Sequence, residues 1–332
     1  MILVTEMNTI NCMHSHKRPD VSIIVVSYNT RDMTLECLRS IFRETRLIDF
    51  EVIVIDNAST DGSADAIAAE FGQSILLIAS TENLGFAAGN NKAATTATGE
   101  MLLLLNPDTV VLNGAIDHLY AFATQHPQAG IWGGRTLFGN GSLNPWSCWS
   151  RMTLWSLFSQ AIGFSSLFRH SSLFNPDGIG GWNRVGIRAV DIVSGCFLLL
   201  KRDLWEKLGG FREQFFMYGE EADLCLRAGD VGARPMVTSA ATIIHYGGAS
   251  GKIRADKLVL ILKAKMLLIC FHFPSLTGRI GCWLLSLWPA SRYLANLLFA
   301  KLGNNSSQAM ANIWKEVMQR KNEWQVSGNL NK

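Results

Sequence analysis

Four short apolar runs, each closed by a polar residue or turn and three of them followed by a helix-like segment, set the strongest limit on how this 332-residue chain can fold. Val21–Asn29 is β-branched and nearly free of charge, as a strand buried on both faces must be. Glu51–Asn57, Ile75–Ala79 and Met101–Leu105 repeat the pattern. Between them Thr30–Thr45, Ser63–Phe71 and Phe86–Thr98 read as helices. Strands alternating with helices at this spacing predict an α/β fold built on a mostly parallel, helix-covered sheet. In such sheets ligands bind beyond the carboxyl ends of the strands. Asp56 and Asp108 both fall at such ends.

The order loosens downstream. Residues 139–187 are rich in Gly, Trp, Ser and Phe without a clean period, and read as long loops with an apolar helical patch around Met152–Phe168. Val190–Leu200 and Pro235–His245 read as further strands, with a short helix over Arg202–Leu208. From Lys257 onward the chain reads as helix. Residues 251–332 carry 12 Lys/Arg against 3 Asp/Glu, whereas the first 250 residues carry 18 against 24. An acidic body with a basic, apolar tail suits an anionic membrane surface better than nucleic acid. The alternative is a basic tail that folds back on the body. Leu258–Phe271 is interrupted by Lys263 and Lys265, and Ile280–Ser291 stops at Arg292. Neither reaches the roughly 20 apolar residues of a simple span. Interfacial helices anchored by Trp283, Trp288, Arg292 and Tyr293 are therefore expected, with a tilted span over Leu276–Ala300 as the alternative.

The seven cysteines are scattered, with no CxxC pair; Cys37, Cys196 and Cys225 sit in apolar or amphipathic runs as core residues do. A reducing cytoplasm is expected. Met1–Asp20 has no continuous apolar stretch of the signal-peptide kind and reads as a flexible leader.

The chemistry-bearing residues lie mainly in four places. Glu220, Glu221 and Asp223 put three carboxylates into four positions, directly after an aromatic run. Carboxylates so close repel, so that one holds its proton more tightly than a free side chain, which suits a general base. Asp108 closes a run of leucines in Asn106-Pro107-Asp108, where an unpaired charge is costly. A divalent cation bridging it to a diphosphate would satisfy that charge, and hard oxygen ligands suit Mg²⁺ or Mn²⁺. A capped turn before the helix at Gly114 is the plainer alternative. Asp56 is placed to accept hydrogen bonds from a base or ribose, whereas Asp61 or Ser63 can simply cap the next helix. The loop Asn83–Asn91 opens a helix and lets backbone approach a nucleotide closely, but it is not a dinucleotide fingerprint. His245, at a strand end, is either a structural histidine or a second metal ligand.

In this order, Val25-Val26-Ser27-Tyr28-Asn29, Val54–Ser63, Asn83–Asn91, Leu105-Asn106-Pro107-Asp108 and Phe216–Cys225 resemble family 2 glycosyltransferases of the GT-A fold, in particular the rhamnosyltransferase-like branch. The resemblance covers about residues 21–250. It implies a catalytic domain there, with a nucleotide-sugar half at 21–125 and an acceptor half at 126–250; the tail at 251–332 lies outside it, and its membrane association is expected from its basic, apolar composition. It further implies a nucleotide-sugar donor (dTDP-rhamnose first, UDP-sugars next), a divalent metal and inversion at the anomeric carbon. Ser27, Asn29, Asp56, Asn83, Gly85, Asn90, Asn106 and Asp108 would surround the donor. Asp108 and His245 would hold the metal, and Glu221 would be the base, supported by Glu220, Asp223 and Arg227. Two departures stand out. Asn106-Pro107-Asp108 keeps one of the usual two carboxylates, and Glu221 stands where relatives usually have Asp, so Glu220 or Asp223 is an alternative base. The acceptor would be a saccharide or a polyprenyl-diphosphate-linked sugar, used by a peripheral protein on the inner face of the cytoplasmic membrane in cell-surface polysaccharide synthesis. The alternative is a catalytically silent nucleotide-sugar binding protein on the same fold. A processive synthase is disfavoured by the absence of a QxxRW motif and of several spanning helices.

Overall fold

The computed structural model describes residues 18–247 and 254–326; positions 1–17 of the expected leader lie outside the described residues, as do 248–253 and 327–332. In chain order, β1 (Val21–Ser27), α1 (Arg31–Glu44), β2 (Phe50–Asp56), α2 (Ser63–Phe71), β3 (Leu76–Ala79), α3 (Gly85–Ala94) and β4 (Met101–Leu105) form the first half. Their strands lie parallel in the order β3-β2-β1-β4. Helix α3 stops short of the expected Thr98. The Thr95 and Thr96 hydroxyls donate back to the Lys92 and Ala93 carbonyls, and the Glu51 carboxylate takes the backbone N–H of Thr98. Such local side-chain bonds compete with helix propagation.

The chain continues through β5 (Thr109–Val111), α4 (Ala115–Gln125), β6 (Ile131–Leu137), β7 (Leu143–Asn144), β8 (Cys148–Trp149), α5 (Leu154–Ile162), α6 (Phe164–Leu167), β9 (Ile187–Ala189), β10 (Ile192–Val193) and β11 (Phe197–Lys201). Helices α7 (Arg202–Leu208) and α8 (Glu220–Asp230) precede β12 (Met236–His245). The main sheet has ten strands, and its path runs on from β4 as β11-β6-β12-β5. Strand β11 is antiparallel to both β4 and β6, and β12 is parallel to β6 but antiparallel to β5. The sheet is therefore mixed rather than mostly parallel: the parallel expectation holds for the half read from the strand-helix repeat. Because β11 enters antiparallel, its first residue lies beside the last of β4, Phe197 against Leu105.

The expected strand Val190–Leu200 is broken into β10 and β11. At the break the Phe197 N–H turns back to the Ser194 carbonyl. β10 pairs with β8 in a small sheet of its own. Strand alternation sends neighbouring side chains to opposite faces. Ile24, Val26, Ile53 and Ile55 accordingly join the core on one face, while Ile23, Val25, Val52 and Val54 join the core on the other. Each such fully buried side chain contributes about 1.5–3 kcal/mol, which is why β1 and β2 tolerate almost no charge.

Between β7 and β9 a single side chain does much of the work of a ladder. The buried Arg184 guanidinium donates to the carbonyls of Pro145, Cys148, Gly178, Ile179 and Trp182.

Helices α9 (Ala255–His272), α10 (Ser275–Lys301), α11 (Asn305–Gln319) and α12 (Lys321–Trp324) follow. They fold back on the body. Leu262, Met266 and Ile269 of α9 pack with Leu284 and Leu285 of α10, Leu157 of α5, Trp314 and Trp324. Helix α10 runs through Pro289 and on past Arg292, where the apolar run ends, to Lys301. Three of the four expected surface anchors face inward instead. Trp288 stacks 5.4 Å from Trp314, Tyr293 packs on the same cluster, and Arg292 donates to the Gln160 carbonyl and Ser166 Oγ. Only Trp283 of the four is largely exposed, at 61%. Among the described residues no helix is long and apolar enough to cross a membrane.

Candidate active site

The carboxyl ends of β1, β2 and β4 and the amino end of β11 meet along one edge of the sheet. Asp56, the last residue of β2, is 3% exposed. Its Oδ2 accepts from the Ser59 N–H, and its Oδ1 is buried without a partner. Such an orphaned acceptor is costly unless a ligand donor meets it. Asn57 ties the next loop in place: its Nδ2 donates to Asn83 Oδ1 and the Gly85 carbonyl, and its Oδ1 accepts from the Leu84 N–H. Asn29, at φ +51°, accepts the Thr60 N–H. Gly85 has φ +78°, and a Cβ there would lie 2.5 Å from the Phe216 carbonyl oxygen. The Phe86 N–H donates to that same oxygen, so the Asn83 loop is stitched to the aromatic run before α8. Besides Asn29 and Asn83, two more of the expected donor contacts are occupied internally. The Ser27 hydroxyl bonds with those of Thr30 and Thr34, and Asn90 Nδ2 donates to the Phe86 carbonyl one turn back.

At the end of β4 the Asn106 N–H donates to the Cys196 carbonyl, and Thr109 pairs with His245 across β5 and β12. This register brings His245 Nε2 to 3.3 Å from Asp108 Oδ1 and to 3.3 Å from Asn106 Nδ2. Burial disfavours the His245 imidazolium, but the Cys196 sulfur and the Asp108 carboxylate outweigh it and push the pKa up to about 11. Asn106 Oδ1 is buried and unpartnered. Asp108 and that free carbonyl oxygen fit a hard divalent cation, and His245 can join them only by giving up its proton, as metal binding requires of an imidazole. Among the described residues no group of three His, Cys, Asp or Glu side chains gathers into a metal site. So small a set of protein groups is the pattern of a cation that completes its shell with water and substrate phosphate.

Helix α8 opens on Tyr218 and Gly219, both left-handed at φ +71° and +88°. A non-glycine residue held there stores strain of about 1–3 kcal/mol, and such residues cluster at functional sites. Glu220 and Glu221 follow in the first turn. Burial raises the Glu220 carboxyl well above the usual range, and repulsion from Glu221 adds to it. Burial also raises Glu221, against the pull of backbone N–H groups in its own turn and of Gly195. Each keeps one buried Oε2 without a partner. Burial raises the Tyr218 phenol first, and the charges of Glu220, Glu221 and Asp108 add to it.

Asp223 differs from its neighbours. Its carboxylate is fully buried and receives Arg212 Nη1 at 2.8 Å, Arg227 Nε at 2.7 Å and His272 Nε2 at 2.8 Å. Burial works against its charge, but His272, Arg227 and Arg212 prevail and hold the pKa below the usual value. Asp223 is therefore an ion-pair centre that fixes α8. Arg227 adds bonds to the Leu208 and Gly210 carbonyls. His272 comes from α9, 49 residues away in sequence, and no local pattern announces it. Tyr218 sat inside the aromatic run that sequence reading quoted, but only its backbone conformation singles it out.

The sequence profile of glycosyl transferase family 2 matches residues 22–207. The chain belongs to this family. As a family 2 glycosyltransferase it is 31% identical over 248 residues to the O-antigen biosynthesis protein RfbC of Myxococcus xanthus, a match covering 72% of this chain and 18% of that protein. It is 26% identical over 214 residues to an N-acetylglucosaminyl-diphospho-decaprenol L-rhamnosyltransferase of Mycobacterium tuberculosis, covering 59% of this chain and 66% of that one. The matched region thus spans less than two thirds of either relative. A mannosyltransferase of Pyrobaculum calidifontis, solved in complex with GDP-mannose and Mn²⁺, superposes over 93% of this chain and 88% of its own with a TM-score of 0.58 at 20% identity. The shared architecture is the GT-A-like fold.

Proposed function

We propose that this family 2 enzyme transfers a sugar, rhamnose first among the candidates, from a nucleoside-diphosphate donor to a hydroxyl of a lipid-linked saccharide, with inversion. The observation that carries the reading is the set of buried, unpartnered oxygens at the strand ends and on α8: Asp56 Oδ1, Asn106 Oδ1, Glu220 Oε2 and Glu221 Oε2. Residues 21–125 would hold the donor and 126–250 the acceptor. Asp56 Oδ1 offers an acceptor to the nucleoside. Asp108 and His245, with Asn106 Oδ1, would hold Mg²⁺ or Mn²⁺. A bound divalent cation supplies positive charge against the diphosphate that departs.

Glu221 takes the proton of the acceptor hydroxyl as that oxygen attacks the anomeric carbon and the bond to the diphosphate breaks on the opposite face. A raised pKa serves this role, because a base poised nearer neutrality accepts the proton more readily. Glu220, raised by burial and by repulsion from Glu221, holds its proton more tightly, which opposes the build-up of two adjacent charges. Asp223 and Arg227 orient α8. The rhamnosyl and diphospho-decaprenol terms in the name of the mycobacterial relative support the choice of donor and acceptor. A polyprenyl-linked acceptor in turn favours a peripheral position on the inner face of the cytoplasmic membrane.

The test is a donor panel: purified protein with Mg²⁺ or Mn²⁺ and dTDP-rhamnose, UDP- and GDP-sugars, reading nucleoside diphosphate release with and without EDTA. Release from one donor, abolished by EDTA and by Asp108→Ala, is expected. Donor binding with no release from any donor, even with lipid-linked acceptor supplied, would favour a silent binding protein.

A further inference from the structure

Helix α10 is apolar on two opposite sides. One side, with Gly281, Leu284, Leu285 and Pro289, is buried in the helical layer. On the other, Leu276, Ile280, Trp283 and Leu287, then Leu294 and Leu298 after a gap of one turn, are exposed. Their spacing places them within about one apolar stripe, and at about 1.5 Å per residue the 27-residue helix carries it for about 40 Å. Soluble helices keep one apolar face and turn it to the core; a second, solvent-facing one marks an interaction surface. Helix α5, packed on α10, adds Trp155, Phe158 and Ile162, again exposed and one helical face apart in spacing.

Charge decides between the possible occupants. Residues 275–301 contain Arg279, Arg292 and Lys301 and no acidic residue, and residues 151–176 contain Arg151, Arg169 and His170 and none either. A second copy laid on this face would set cation against cation with no carboxylate to pair them. An anionic lipid surface pairs the exposed Arg279, Lys301, Arg151 and Arg169 and takes up the apolar stripe; Arg292 is spent on Gln160 and Ser166. We infer that the α5–α10 face is a docking surface for an anionic phospholipid bilayer, with α10 lying in the plane of the interface. This deepens the lipid-linked acceptor reading, but the docking itself does not depend on which sugar is moved. It also replaces the inward-facing Trp288, Arg292 and Tyr293 by a different set of contacts.

The experiment is co-sedimentation of the full chain with vesicles of phosphatidylcholine alone or with phosphatidylglycerol, across a salt series. Binding to the anionic vesicles, weakened by salt, is expected. Leu294→Ser with Leu298→Ser removes two side chains that are 63% and 58% exposed, so folding should be unaffected. Their loss from the bilayer should weaken binding at least about tenfold. Arg279→Gln with Lys301→Gln should weaken binding and flatten its salt dependence. Undiminished binding by the leucine variant, or no binding of the wild type to anionic vesicles, overturns the proposal. So does a wild-type dimer in sedimentation equilibrium that the leucine variant dissolves, which would assign the face to a second copy. Metal-dependent nucleoside diphosphate release from the donor panel with lipid-linked acceptor supplied, measured on the same samples, separates the two readings. Release without vesicle binding refutes only the docking face, and vesicle binding without release refutes only the enzymatic reading.

Discussion

Replacing Asp223 by Asn tests whether helix α8, which carries the proposed base Glu221, is fixed by charge. The substitution keeps the shape of the side chain and removes the anion from between Arg212, Arg227 and His272. Breaking a buried ion pair by removing one partner costs about 3–5 kcal/mol. The lower end applies here. Arg227 retains the Leu208 and Gly210 carbonyls, and Arg212, 37% exposed and stacked 4.4 Å over Phe271, can turn to water. At roughly 2–4 °C per kcal/mol, a loss of about 3 kcal/mol lowers the melting temperature by about 6–12 °C. The sign of the pH dependence follows from the depressed Asp223 pKa. Its contribution is complete above the ordinary carboxyl value of about 3.9 and is lost as pH falls through the lower folded value. Urea titrations at pH 7 and below pH 4 should therefore show a large wild-type-to-variant difference at the first and a shrinking one at the second. Turnover should fall as well, because α8 loses its tie to α9. A variant that melts within about 1 °C of wild type at pH 7 would remove Asp223 from the architecture of the site.

Other outcomes are open to the same assays. Glu221→Gln should fold normally and lose roughly 10²-fold or more in turnover, the usual scale of a general base; near-normal turnover would dismiss Glu221. Because burial raises the Glu221 carboxyl, the acidic limb of the kcat profile should lie above the ordinary glutamate value of about 4.3, and a limb at or below it contradicts the buried-base account. Gly85→Ala places a Cβ 2.5 Å from the Phe216 carbonyl at φ +78°. It should cost about 1–3 kcal/mol and impair donor binding, and a neutral effect by melting and calorimetry would show that the loop has room to give.

The parallel half of the fold was legible because both faces of β1, β2 and β4 are buried, and that requirement shows as unbroken apolar runs. The second half was not. Strands β5, β7, β8, β9 and β10 are two or three residues long, too short for any period, and β6 runs through Gly133 and Gly134 where alternation disappears. The antiparallel insertion of β11 depends on where a long excursion returns, which no local pattern encodes. The carboxylate cluster was visible as a sequence run, yet its division of labour was not. Glu220 and Glu221 are buried without cationic partners while Asp223 has three, and two of those come from outside α8. The tail read as surface-bound because its charges outnumber its acids, but Lys265 and Arg292 bond to Gln160 of α5 inside the helical layer. Composition reports that a cation is present, not which way it points.

Arg184 behaves toward the loops around it as a structural calcium ion behaves toward a calcium-binding loop, except that it is covalently attached. Its planar fork gathers five carbonyl oxygens from segments up to 39 residues apart. Carbonyls are common to every residue type, so the segments can exchange almost any side chain and keep their path. Chelators cannot remove such a centre, and no change in ionic conditions can unload it. Only a change at one codon can. The region between β7 and β9 is thereby freed to diversify its outward side chains over a constant backbone, an arrangement suited to altering what is recognised without altering how the chain folds.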